Sequence, residues 1–118
     1  LGPVVRQGDD QWFNIVKWVH FAMLNAEEME ITSANVDGMK GSEDPAVKRL
    51  LGIDGSFGEE LGISNDWAHN IIKKIGNYGE SYERNVGINT PVKLARDAGQ
   101  KLNALWTDGG LQYAPPVR

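Results

Sequence analysis

The chain has 118 residues, enough for one domain with a core of its own. A net charge of −4 with a 24% charged share argues against nucleic acid as a partner, because no basic stripe is present to displace phosphate counterions. Zero cysteines exclude disulfides and thiolate metal sites, and no apolar run approaches the roughly 18 residues of a membrane span.

Leu1 to Gln7 reads as a short β-strand, since Val4 and Val5 favour the pleated conformation and Pro3 suits a strand start. Gly8 breaks it, and Asp9 or Asp10 can cap a helix N-terminus. Gln11 to about Glu28 is predicted as the first helix, with Trp12, Ile15, Val16, Val19 and Met23 on one side. Phe13, Trp18, Phe21, Ala22 and Leu24 carry apolar character beyond that stripe, leaving a narrow polar strip at Asn14, Lys17 and Asn25. A helix so apolar calls for cover on two sides.

Ile31 to Glu43 reads as a loop. Asp44-Pro45 caps a short helix over Ala46 to Leu51, stopped by Gly52. The glycine-rich "GIDGSFGEELG" reads as turn or loop. Ser64 or Asn65 opens a long helix to about Asn85, with Trp67, Ile71, Ile75, Tyr78, Tyr82 and Val86 as its stripe. Gly76 and Gly79 within it are expected to permit close approach of a neighbour rather than to break it. Thr90-Pro91 caps a last helix with Leu94, Ala95, Ala98, Leu102, Leu105 and Trp106 facing inward, ended by Gly109-Gly110. "LQYAPPVR" then runs extended. The expectation is a mainly α chain of about four helices plus one N-terminal β-strand. A lone strand is marginal without partners, so it pairs either with a second copy or with a sheet outside this sequence.

No constellation assembles a reaction centre. His20 and His69 lie inside helices without metal-ligand spacing. Glu27-Glu28-Glu30 and Glu59-Glu60 point in different directions, unlike the opposed carboxyls of a glycosidase, and read as solvated. "NVDGMKGSED" and "IDGSFGEE" lack the ligand offsets of a calcium loop. The GxxG of "GNYGE" lacks the strand–turn–helix setting of a phosphate cradle. Trp12, Trp18, Trp67 and Trp106 read as core at helical spacing rather than as a sugar platform. Lys73-Lys74 and Lys48-Arg49 read as solvated helix faces. No catalytic, ligand-binding or metal residue is expected within the chain, and no cofactor.

"LGPVVRQGDDQWFNIVKW" resembles the second hinge crossing of periplasmic amino-acid-binding proteins, where the chain returns to the first lobe through a strand and enters a helix. "HFAMLNAEEMEITSANVDGMKGSEDPAVKRLLGIDG", "NDWAHNIIKKI", "GNYGESYERNVG" and "LNALWTDGGLQYAPPVR" resemble the C-terminal region of the general L-amino-acid-binding component of an ABC importer. Together these blocks cover essentially the whole chain; "ARDAGQKLNALW" departs from the shorter spacing of that family.

The resemblance implies a parent of the α/β two-lobe, type II periplasmic binding protein fold, closing by hinge motion over its ligand. Residues 1–118 would be its C-terminal segment completing lobe 1: 1–8 the strand after the second hinge crossing, 9–118 lobe helices and a C-terminal helical extension. The parent would capture L-amino acids in the periplasm and pass them to an ABC permease, without catalysis. The arginine and acidic residue that hold ligand in such proteins lie upstream, so Arg6 and Asp9 are assigned a turn and a helix cap. Self-association through the N-terminal strand is expected of the chain alone. A self-contained helical protein-interaction module is the alternative, and a small helical hydrolase acting on sugars a third reading.

Overall fold

In a computed structural model that describes residues 1–118, the Asp9 carboxylate accepts the Trp12 backbone N–H at 2.9 Å and opens helix α1. This satisfies one of the orphan donors at the helix start. α1 spans Asp10–Glu28 and is the element around which the rest is built. Ala22 and Ala26 on one face join a core with Ile31, Val36, Val47, Leu50, Leu51, Trp67, Ala68 and Ile72. Leu24, on the opposite face, joins Tyr78, Tyr82, Leu105 and Ala114. The expectation of cover on two sides therefore holds for the C-terminal half of α1. It fails for the N-terminal half, where Trp12 and Phe13 are 52% and 49% exposed.

Residues 1–7, expected as a strand, form none. Residues 1–6 have no regular structure and Gln7 and Gly8 form a turn, and no main-chain hydrogen bond joins residues 2–8 to any other backbone. The cause is the one that makes any solitary strand marginal: without a neighbour its donors and acceptors stay with water. The single β-bridge of the chain joins Leu105 to Gln112, far from this segment in sequence.

Two stretches expected as loops contain helix. α2, Val36–Met39, forms where Asn35 ties down the preceding turn. Its side chain accepts from Thr32 N and donates to the Glu30 carbonyl, so that Val36 drops fully into the core. α4, Phe57–Leu61, comes after the expected α3, Pro45–Leu50, which Asp44 caps through Ala46 N. α4 exists because Phe57 stacks edge-on against Trp18 with centroids 4.7 Å apart. That tertiary contact outweighs the local glycine content.

The long helix expected from Ser64 to Asn85 is two helices, α5, Trp67–Ile75, and α6, Tyr78–Asn85. Gly76 takes φ 99° and ψ 179° between them, a conformation that ordinary side chains avoid. Asn77 then starts α6 with a reciprocal capping box: its side chain accepts from Glu80 N, and the Glu80 carboxylate accepts from Asn77 N. A stripe spaced by threes and fours continues through such a break, so periodicity alone does not reveal it.

The last expected helix is absent. From Thr90 to Ala104 the chain makes successive tight turns, with Lys93, Gly99 and Lys101 at positive φ. Arg96, mid-way along this stretch, is drawn instead into a partly buried ion pair with Glu27. Only a 3₁₀ turn, Trp106–Asp108, lies beyond it, and Gly109 ends that turn in the left-handed region. The tail beyond Gln112 has neither helix nor strand, and its Ala114 and Val117 are buried. The result is mainly α, with six α-helices, one 3₁₀ turn and no strand.

Candidate functional site

An apolar groove lies along the N-terminal half of α1. The segment Pro3–Gly8 runs beside this helix and encloses a groove of about 460 Å³ with Phe13, Val16, Lys17, His20 and Phe21. Val4 is 95% and Leu1 63% exposed. The Lys17 ammonium sits 5.3 Å from the Phe13 ring centroid, a cation–π contact. His20 packs edge-on against Tyr78, with centroids 5.6 Å apart. Burial pushes its pKa below the ordinary 6.5, and the positive chain terminus adds to that. Unpaired backbone next to uncovered apolar side chains is the chemistry of a packing and strand-pairing surface.

Three polar clusters lie elsewhere. Asp37 accepts from His69 Nε2 at 2.9 Å and from Lys73 Nζ, clipping α2 to α5. The Lys73 ammonium, and after it His69, holds the Asp37 carboxyl below its ordinary pKa. A histidine oriented by a carboxylate is half of a nucleophile-activating arrangement. Here the other ring nitrogen, His69 Nδ1, is buried without a hydrogen-bond partner, so no hydroxyl stands ready for activation. The second cluster joins Glu27 to Arg96, whose guanidinium also lies 5.1 Å from the Tyr78 and 5.6 Å from the Tyr82 ring centroids. The third is Glu80, which accepts from both Asn77 N and Ser33.

Asp9 is the cap expected of it, and Arg6 lines the groove. Glu27 is not solvated as expected, its side chain being only 16% exposed. Lys73 is likewise engaged, with Asp37. Of the tryptophans, Trp67 is buried and Trp18 half-buried in contact with the core, whereas Trp12 and Trp106 stand half exposed. The Glu27–Arg96 pair spans 69 positions and had no local signal in the sequence. The Asn77–Glu80 box did have one: Asn-x-x-Glu directly after a glycine.

No family model matches the chain. The general L-amino acid-binding periplasmic protein AapJ of Rhizobium johnstonii is 60% identical over 120 aligned positions, covering 100% of this chain and 34% of that protein. The glutamate/glutamine/aspartate/asparagine-binding protein BztA of Rhodobacter capsulatus is 49% identical, again across 100% of this chain and 34% of its own length. Among solved structures, an ABC transporter periplasmic binding protein from Brucella ovis with glutathione bound superposes with a TM-score of 0.86 at 53% identity. That match covers 97% of this chain and 35% of the other.

The homologues of this chain are thus periplasmic amino-acid-binding proteins of ABC transporters, which are binding proteins and not enzymes. The chain spans about a third of their length. No helix in it is long and apolar enough to cross a membrane.

Proposed function

We propose that these residues work as one part of an extracytoplasmic solute-binding protein that captures L-amino acids in the periplasm and hands them to an ABC permease. The observation that carries this reading is similarity at 49–60% identity along the entire chain to proteins of that kind. Residues 1–8 supply the strand that comes after the second hinge crossing, and residues 9–118 the helices and C-terminal extension of the first lobe.

The groove supports this assignment physically. Sheet strands from the remainder of such a protein would bond the free backbone of residues 2–8 and cover Val4, Trp12 and Phe13. Burying each such side chain is worth about 2 kcal/mol. The chain on its own pairs with a second copy through the same segment. The contacts to the amino acid lie outside residues 1–118, which carry scaffold and hinge.

Calorimetry against a panel of L-amino acids tests the reading. A longer polypeptide carrying two lobes binds, and this chain alone does not. Binding by this chain alone, or a two-lobed polypeptide that ignores every amino acid, would overturn it.

A further inference from the structure

A second groove, of about 590 Å³, opens at the other end of α1. Its walls include Glu28 and Met29 from the end of that helix, Met39 from α2, Asp44 at the start of α3, and Trp106 with Tyr113 from the C-terminal loop. The loop holds its two aromatics firmly. Trp106 N donates to the Gln112 carbonyl at 2.9 Å, and Gln112 N to the Ala104 carbonyl at 3.0 Å. The rings meet nearly at right angles, 5.9 Å between centroids, yet Trp106 stays 50% and Tyr113 59% exposed. The Trp106 indole N–H donates to Glu28 Oε2 at 3.3 Å, which leaves the other carboxylate oxygen uncommitted.

The lining has a definite sign. Its eleven residues include two carboxylates and no lysine or arginine. One N–H of the Asn25 amide, which could donate to a sugar hydroxyl, is spent on the Pro115 carbonyl. Beside the Ser42 and Tyr113 hydroxyls stand two carboxylates, two π-faces and no basic group, which is the composition that attracts an organic cation. Met29 and Met39 add an adaptable apolar floor.

We propose that this groove docks an arginine- or lysine-bearing segment of a partner protein. The basic side chain lies against Trp106 and Tyr113 with its charge at Glu28, and neighbouring apolar side chains rest on the two methionines. The groove is larger than one guanidinium side chain can fill, which favours a peptide segment over a free cation. The proposal is independent of the transport reading, since it concerns a different face and needs no amino-acid site.

The test tracks the Trp106 indole N–H and the Met29 and Met39 methyl resonances during titration with acetyl-glycyl-arginyl-glycinamide, with the citrulline peptide as the neutral control. Saturable shifts confined to these groups are expected with the arginine peptide, weakening as salt is added. Trp106→Ala, read through the methyls, weakens binding about tenfold, and Glu28→Gln about fivefold. Both positions are exposed, so circular dichroism is expected to stay unchanged. Equal shifts with citrulline, or none with arginine, overturn the proposal. So does a response that vanishes in a longer polypeptide carrying this chain, because the groove is then filled from within.

Discussion

Ser33 and Glu80, 47 positions apart, meet in a double contact: the Ser33 hydroxyl donates to one carboxylate oxygen of Glu80 at 2.6 Å and its backbone N–H to the other at 3.1 Å. The same carboxylate closes the α6 capping box, so one side chain fixes both a helix start and the loop after α1. Burial opposes its charge, but the hydrogen bonds from Ser33 and Asn77 prevail and keep its pKa below the ordinary 4.5. A carboxyl depressed in the folded state stabilises above its unfolded pKa, and that contribution disappears as pH falls through the folded value. Urea unfolding on acidification should therefore show a loss of stability that Glu80→Gln blunts. At neutral pH the substitution is expected to cost about 2 kcal/mol. A variant with the pH dependence of the parent would remove Glu80 from this role.

The Glu27–Arg96 pair secures the helix-free stretch after α6 to α1. Removing one partner of a pair this buried strands the other, at a cost of about 3 kcal/mol. Arg96→Met and Glu27→Leu are each expected to lower the urea midpoint accordingly. The double variant should recover more than half of the summed loss, since it leaves no charge unpaired. Strict additivity of the two losses would mean that the side chains act separately.

How much of the fold was legible in the sequence divides along the range of the interaction. Asp9 and Asp44 as caps, α1, α3 and the helix-free tail are set by residues a few positions apart, and the structure has them. Gly76 ends a helix that the Trp67-to-Val86 stripe implies is continuous, because a spacing of three and four survives a change of axis. The helix expected around Leu94 to Trp106 yields to contacts between Arg96 and three residues of α1 and α6, and no local pattern carries that. The family resemblance was readable throughout, and the similarity to AapJ runs the full length of the chain. The groove beside Val4 was foreshadowed by the overly apolar α1, but its position at the N-terminal half depends on what α5 and α6 already cover.

Gly79 lies inside α6, where alanine would ordinarily gain about 1 kcal/mol. A β-carbon there would come within 3.0 Å of Glu27 Cδ and of the Arg96 guanidinium, and both are held by their mutual pair. Gly79→Ala is therefore expected to destabilise by about 1–2 kcal/mol. In a Glu27→Ala background one of the two obstacles is gone and the Arg96 guanidinium is released from its pair, so the same change should cost clearly less. Thermal melts of the four chains decide between this account and simple helix propensity.

Val4 and Phe13 distinguish a surface awaiting cover from a core. Val4 is 95% exposed and its neighbours make no main-chain bonds, so Val4→Asp should change the unfolding free energy of this chain by less than about 0.5 kcal/mol. Phe13→Asp, at 49% exposure, should cost little more. Both are expected to reduce self-association in sedimentation velocity, because a charge in the groove penalises strand pairing and apolar contact between copies. In a longer polypeptide that buries the groove under a sheet, either substitution places an unpaired carboxylate in an apolar interface, and the unfolding free energy should then fall by several kcal/mol. A large loss already in the 118-residue chain would mean that the segment is packed internally and that the groove is no interface.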